Sequence, residues 1–161
     1  MTPKNSYFKS SKPIDTNVMA NWIAEHKPNY FVTLTFNDFY RADIADEKLK
    51  RFSAYLDRRL LGRKWYKKPI EERTLFFAFA EHMDSNFHYH LAVKVRKEHQ
   101  KNFDKVVHYC WNTVVQSGGT ETIAAHSDGF LPYILKELYK TKNYEAFRVS
   151  RESVSYTHLR A

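Results

Sequence analysis

Apolar and polar positions alternate along the chain in short blocks that change period from helix to strand and back. Residues 1–14 are polar with two prolines and read as an arm. From Asp15 a helix is expected, with Val18, Met19, Trp22 and Ile23 on one face, and Pro28 ends it. Tyr30–Phe36 alternates as a strand, with Tyr30, Val32, Leu34 and Phe36 on one side and Phe31, Thr33 and Thr35 on the other. A loop covers Asn37–Ala42. Ala45–Leu61 then places Leu49, Phe52, Leu56 and Leu60 at helical spacing, and Gly62 closes the helix. Thr74–His82 and Phe87–Val95 form a hairpin about the polar turn Met83–Asn86. His99–Gln116 is helical, with Phe103, Val106, Val107, Cys110, Trp111 and Val114 as its buried stripe, and Gly118–Gly119 terminates it. Thr120–Ala125 is a short strand and Gly129–Lys140 a last helix.

After the first helix this order is β-α-β-β-α-β-α. It predicts an α+β domain of the split βαβ kind, ferredoxin-like or RRM-like, with an antiparallel sheet and helices packed on one face. Residues 15–153 make a single domain. No internal repeat is visible.

Composition narrows the function. The 161 residues include 26 Lys and Arg against 18 Asp and Glu, a net charge of +8, and the isoelectric point is near 9.5. A surplus of that sign favours a polyanionic partner, most simply nucleic acid, over an anionic membrane surface. Hydrophobic residues at 43% exclude a disordered chain. The single cysteine, Cys110, excludes an internal disulfide and argues against a cysteine-based zinc site. Neither a GxxxxGK[ST] phosphate loop nor a GxGxxG dinucleotide loop occurs, which speaks against an ATPase or a Rossmann oxidoreductase. No apolar run reaches membrane-spanning length and no signal-peptide core is present. A soluble protein of a reducing compartment is expected, with no membrane partner.

The hairpin carries the first candidate chemistry. Phe87, Tyr89, Leu91, Val93 and Val95 form one apolar face, and His88, His90, Ala92 and Lys94 form the other. The two imidazoles therefore project together, about 6–7 Å apart along the strand, and their ring nitrogens can converge on one cation. If Glu81 pairs opposite His88, its carboxylate completes a 2-His-1-carboxylate set able to hold Mn²⁺ or Mg²⁺. His82 and Asp84 compete for the third place. On the last helix, Leu131, Ile134, Leu135 and Leu138 form the buried stripe, which leaves Tyr133, Lys136 and Lys140 on the opposite side. A phenol beside an ammonium or a metal ion becomes a better nucleophile.

Three elements thus stand in order: FVTLTF at 31–36, HYH at 88–90 and YILK at 133–136. Together they resemble the HUH-superfamily single-strand endonucleases, most closely the nuclease domain of rolling-circle replication initiators. The resemblance spans about residues 30–140. It implies that His88 and His90 are metal ligands with Glu81 as the third. Tyr133 would be the nucleophile and Lys136 the motif lysine, and Thr33 and Thr35 would line the DNA groove. It further implies nicking and rejoining of single-stranded DNA at a replication origin of a plasmid or virus, through a 5′-phosphotyrosine, by a monomer that acts with a host or fused helicase. The location would be the bacterial cytoplasm or the host-cell compartment where the replicon is copied. The middle residue of the histidine motif, Tyr89, is larger than the usual aliphatic one. A second tyrosine, Tyr139, lies well round the helix from Tyr133, so one nucleophile is expected. A single-tyrosine transposase of the same superfamily fits the same motifs. A non-catalytic RRM-like module would instead display aromatics on its open sheet face.

The segment 58–68 is basic with two aromatics. Arg58, Arg59, Arg63, Lys64, Lys67 and Lys68 are candidates for phosphate contacts, and so is Lys140. Trp65 and Tyr66 are candidates for stacking on unpaired bases. Arg96 and Lys97 are further cationic candidates. Residues 154–161, VSYTHLRA, resemble a translated sequencing-library adapter and are set aside as a non-native tail. The natural sequence would then depart from this one at about Ser153–Val154, which leaves room for a natural extension, even a helicase domain.

Overall fold

A computed structural model describes residues 16–81, 86–125 and 147–151. Its elements are α1 (Thr16–Glu25), β1 (Tyr30–Thr35), α2 (Ala42–Leu61), β2 (Leu75–Glu81), β3 (His88–Lys94), α3 (Phe103–Val114), β4 (Gly119–Ala124) and β5 (Phe147–Val149). The arm, the expected helix Gly129–Lys140 and the tail 154–161 lie outside the described residues.

The five strands form one sheet in the order β4-β1-β3-β2-β5, with every neighbouring pair antiparallel. Strands β1 and β2 run parallel with β3 between them, so β1-α2-β2 is a split crossover, and β3-α3-β4 repeats the device. This is the α+β, ferredoxin-like or RRM-like arrangement that the alternation predicts. The alternating apolar residues of β1, β2 and β3 meet α2 and α3 in the main core, around Val32, Leu34, Phe36, Leu91, Phe52 and Trp111.

The opposite face is also partly covered. Strand β2, LFFAFAE, is buried at all seven positions, because both of its faces are packed. Phe77 and Phe79 join Ile23 of α1, Ala92, Phe147 and Val149 in a second core. Trp22 meets Phe77 edge-on at 5.3 Å between centroids. The helices expected on one face are α2 and α3; α1 lies against the other, drawn by the apolar side chains that β2 presents there. Strand β5 was not expected: three residues are too few to carry a period.

Local departures from the expected boundaries have physical causes. The helix expected from His99 begins at Phe103, because Asn102 adopts a left-handed φ of 59° after a 3-10 turn at Lys97–His99. A Cβ on Gly118 would lie 2.4 Å from Nε1 of Trp111 and 2.8 Å from the Thr35 carbonyl oxygen. Glycine is therefore required there for close approach; the helix itself ends earlier than expected, at Val114, where Val115 turns to extended backbone.

Polar staples hold the layers together. The Tyr89 hydroxyl donates to Asp46 Oδ1 at 2.6 Å, and Arg148 of β5 donates to both oxygens of the same carboxylate, at 3.1 and 2.8 Å. Asp57 of α2 accepts the Thr74 N–H at 2.7 Å just before β2 begins. Burial pushes the Asp57 carboxyl up to about 6, against the opposing pull of the Thr74 hydrogen bond and the Arg73 and Arg151 charges. A carboxyl raised above its unfolded value binds more protons in the native state, so its contribution to stability falls as pH climbs from about 4 to 6. Asp57→Asn keeps the acceptor oxygen and removes the charge. At pH 8 it is expected to raise stability by about 2 kcal/mol, or roughly 5 °C in melting temperature, and to converge with the parent near pH 4. A variant that melts below the parent at pH 8 would contradict this account.

Candidate metal centre

The register of the central strands assembles the candidate site. Glu81 stands opposite His88 and Phe79 opposite His90, while on the other side Thr35 stands opposite His88 and Thr33 opposite His90. Cross-strand partners share a face, so Glu81, His88, His90, Thr33 and Thr35 all lie on the side away from α2 and α3. The cluster sits at the C-terminal end of β2, where that side is not taken up by the second core.

The donor atoms converge. Nε2 of His88 lies 2.7 Å from Glu81 Oε2 and 3.2 Å from Nε2 of His90, and Nε2 of His90 also contacts Glu81 Oε2. Neighbouring ligands held at about 2.1 Å by an octahedral ion are about 3 Å apart, so the triangle has the dimensions of one face of a coordination sphere. Among the described residues, Glu81, His88 and His90 are the group able to hold a metal ion.

The outer ring nitrogens are held as well. Nδ1 of His88 lies 2.9 Å from the Asn86 carbonyl oxygen. A carbonyl only accepts, so this nitrogen carries a proton, and Nε2 is the atom turned toward the carboxylate, where a cation, metal or proton, bridges the two. Nδ1 of His90 meets the Thr33 hydroxyl at 3.2 Å, and the Phe31 ring stacks on His90 at 5.4 Å and 22°. Partners of this kind fix the tautomer and aim of a metal-ligating imidazole. His90 and Glu81 are buried, 6% and 9% exposed, so their geometry is set by packing.

The structure thus brings together His88, His90 and Glu81, three of the residues that the sequence singles out. It gives the threonines partners within the sheet: the Thr33 hydroxyl meets Nδ1 of His90 and Thr35 Oγ1 accepts the Gly119 N–H at 3.0 Å, while both residues are half-buried on the face that carries the histidines. Asn86, whose carbonyl orients His88, was missed; a main-chain acceptor leaves no residue-type signal. Tyr133, Lys136, Lys140, Tyr139, His82 and Asp84 lie outside the described residues. Cys110 is buried and its thiol is pushed up to about 11 by that burial, which removes it as a nucleophile or ligand.

The basic segment needs one correction. Trp65 is only 6% exposed, with the Arg73 guanidinium over its ring at 5.6 Å, so it is a packing residue and not a platform for bases. Tyr66 is half-buried, edge-on to Trp65 at 6.1 Å. Arg63, Lys64, Lys67 and Lys68 are exposed. Arg58 and Arg59 end α2, and the Arg59 guanidinium lies over Tyr109 at 4.9 Å. This segment adjoins the N-terminal end of β2, and the cluster adjoins its C-terminal end. The seven residues of the strand separate them by about 20 Å.

Comparison with protein-family models, with curated proteins and with solved structures gives no match. Among the described residues no helix is long and apolar enough to cross a membrane.

Isothermal titration with Mn²⁺ tests the centre. His88→Ala, His90→Ala and Glu81→Gln are each expected to abolish saturable binding. Thr33→Val, which removes the group that orients His90, is expected to weaken binding about tenfold. Full affinity in the histidine variants would refute the site.

Proposed function

We propose that this chain is a metal-dependent endonuclease of the HUH kind, which nicks and rejoins single-stranded DNA to initiate rolling-circle replication. The observation that carries the reading is the convergence of Glu81, His88 and His90 on one point, on the strand and face that the histidine motif predicts. The net charge of +8 suits the substrate. The described exposed aromatics, Phe39 and Tyr109, lie in the loop after β1 and on α3. That favours an enzyme over a module that stacks bases across its open sheet face.

In this reading Glu81, His88 and His90 would hold a Mn²⁺ or Mg²⁺ ion, which when bound would supply polarisation of the scissile phosphate. Thr33 and the Asn86 carbonyl aim the rings, and Phe31 packs the His90 ring. The Tyr133 phenol oxygen attacks phosphorus and forms the phosphotyrosine ester as the bond to the 3′ oxygen breaks. The phenol loses a proton and the departing 3′ oxygen gains one, giving a free 3′-OH. Phosphodiester is exchanged for phosphodiester, so rejoining by the reverse attack needs no nucleotide cofactor. Lys136 follows Tyr133 by three residues in the sequence; on the expected helix it would share a face with the phenol and steady the phenolate and the charge on phosphorus.

A single-stranded oligonucleotide pool labelled at the 3′ end, incubated with Mn²⁺ and resolved on a denaturing gel, tests the reading. The parent chain is expected to give a covalent protein–DNA band and Tyr133→Phe none, with DNA binding unchanged. Chelation of the metal is expected to slow adduct formation by about 10³-fold. An adduct that persists in Tyr133→Phe would move the nucleophile elsewhere, and no adduct in the parent with any divalent ion would overturn the reading.

A further inference from the structure

The sheet ends at β4 on one side and at β5 on the other. An open strand edge invites pairing with another chain, and proteins blunt it with a very short strand, lysine, proline or a bulge. Strand β5 is three residues long. Strand β4 is six, and its sequence GTETIA carries no lysine, arginine or proline. It pairs with β1 residue for residue, without a bulge. Among the described residues no strand pairs with its other side.

One bond shows which main-chain groups face that side. Just past the ladder the Ala125 N–H donates to the Asn29 carbonyl at 2.8 Å. Hydrogen-bonding direction alternates along a strand. Gly119, Glu121 and Ile123 therefore turn their main-chain groups to β1, and Thr120, Thr122 and Ala124 turn theirs to the open edge. The side chains alternate between the two faces of the sheet. Glu121 and Ile123 stand opposite Thr33 and Phe31, on the face of the histidines, and Ile123 is 49% exposed. Thr120 and Thr122 stand opposite Leu34 and Val32, on the face of the helices α2 and α3. The Thr122 hydroxyl is buried and has no hydrogen-bond partner among the described residues.

This pattern is self-complementary. Two copies of β4 laid antiparallel about a two-fold axis at Thr122 set Thr122 against Thr122 and Thr120 against Ala124, all as hydrogen-bonded pairs. Between them Glu121 of each copy faces Ile123 of the other, where an aliphatic stem covers apolar surface and no like charges meet. An axis at Glu121 would oppose two carboxylates and lose a hydrogen-bonded pair, and an axis at Ile123 loses a pair as well. The Thr122 axis also brings the second copy's Thr122 hydroxyl beside the one that lacks a partner, and threonines across a ladder can hydrogen-bond. We propose that β4 is a dimerisation edge, which joins two copies of this chain into one continuous antiparallel sheet about a two-fold axis at Thr122.

The axis stands normal to the sheet, so both Glu81–His88–His90 clusters open on the same side. They lie five strand spacings apart, about 24 Å. The dimer stands without the nuclease reading; only the consequence that two nicking centres face two DNA strands together rests on it. The net charge of +8 on each copy opposes association, so added salt strengthens it.

Sedimentation of the full chain without metal or DNA is expected to show a reversible dimer that tightens as salt is raised. Ile123→Glu sets like charges opposite Glu121 at two places and is expected to raise the dimer dissociation constant about tenfold. Ile123→Lys, which sets opposite charges at the same places, is expected to keep at least the parent affinity, and Ile123→Glu combined with Glu121→Lys to restore it. Hydrogen exchange at the Thr120, Thr122 and Ala124 amides is expected to slow as concentration rises, with Glu121 and Ile123 unchanged. A dimer indifferent to these charge changes would place the contact elsewhere and overturn the proposal. A monomer at every concentration would overturn it too, and protected outward amides in that monomer would assign the edge to another segment of the same chain. Mn²⁺ binding and the covalent adduct are separate measurements, so their failure would remove the nuclease reading and leave the dimer result intact.

Discussion

The register of β2 on β3 is the constraint from which the candidate centre follows. With Glu81 opposite His88, one carboxylate and two imidazoles share a face. A slip of one residue would send the carboxylate to the other side of the sheet. Alternation of polarity cannot hold this register unaided, because β2 is buried on both faces. Side-chain size does. Ala78 and Ala80 stand opposite Leu91 and Tyr89 beneath the helical layer, and Phe77 and Phe79 occupy the side of Ala92 and His90. A slip would push phenylalanine rings into a close-packed layer that has room for methyl groups.

Much of this was legible in the residue order, and the limits have physical reasons. The strands β1 and β3 and the helices α2 and α3 carry clean periods, β2 reads as a short apolar run, and their order predicts the sheet. The pairing of Glu81 with His88 follows from a hairpin whose turn length is readable. The place of α1 was not readable, because a short amphipathic helix does not say which face of a sheet it covers. The clue lay in β2: LFFAFA lacks a polar side, which only a second layer explains. The part played by Thr33 was hidden too. Its type suits a groove or an imidazole partner equally, and only the register shows that it stands beside His90. Trp65 reads as a base-stacking candidate from its basic neighbours, and burial under Arg73 overrules them.

Tyr89 shows how the two faces of one strand are connected. It separates the two histidines in sequence and points the opposite way, fully buried. An aliphatic residue there would cost Asp46 the hydrogen bond that the phenol donates. The phenol instead joins the helical layer to β3, while Arg148 carries the same carboxylate to β5. The strand that presents the imidazoles is thus tied from behind at the residue between them. Ligands held this way need little reorganisation to receive an ion.

Gly118 lies on none of the elements that bear candidate ligands, yet it governs one of them. The Trp111 indole N–H donates to the Thr35 carbonyl at 2.9 Å, and the glycine leaves the gap through which the two meet. Thr35 in turn faces His88. An inventory of tolerated substitutions would therefore rank Gly118 beside the imidazoles, although it performs no chemistry. Intolerance at that position reports the height at which β1 rides over the indole, and a variant library that spares it keeps the platform on which new specificities could be selected.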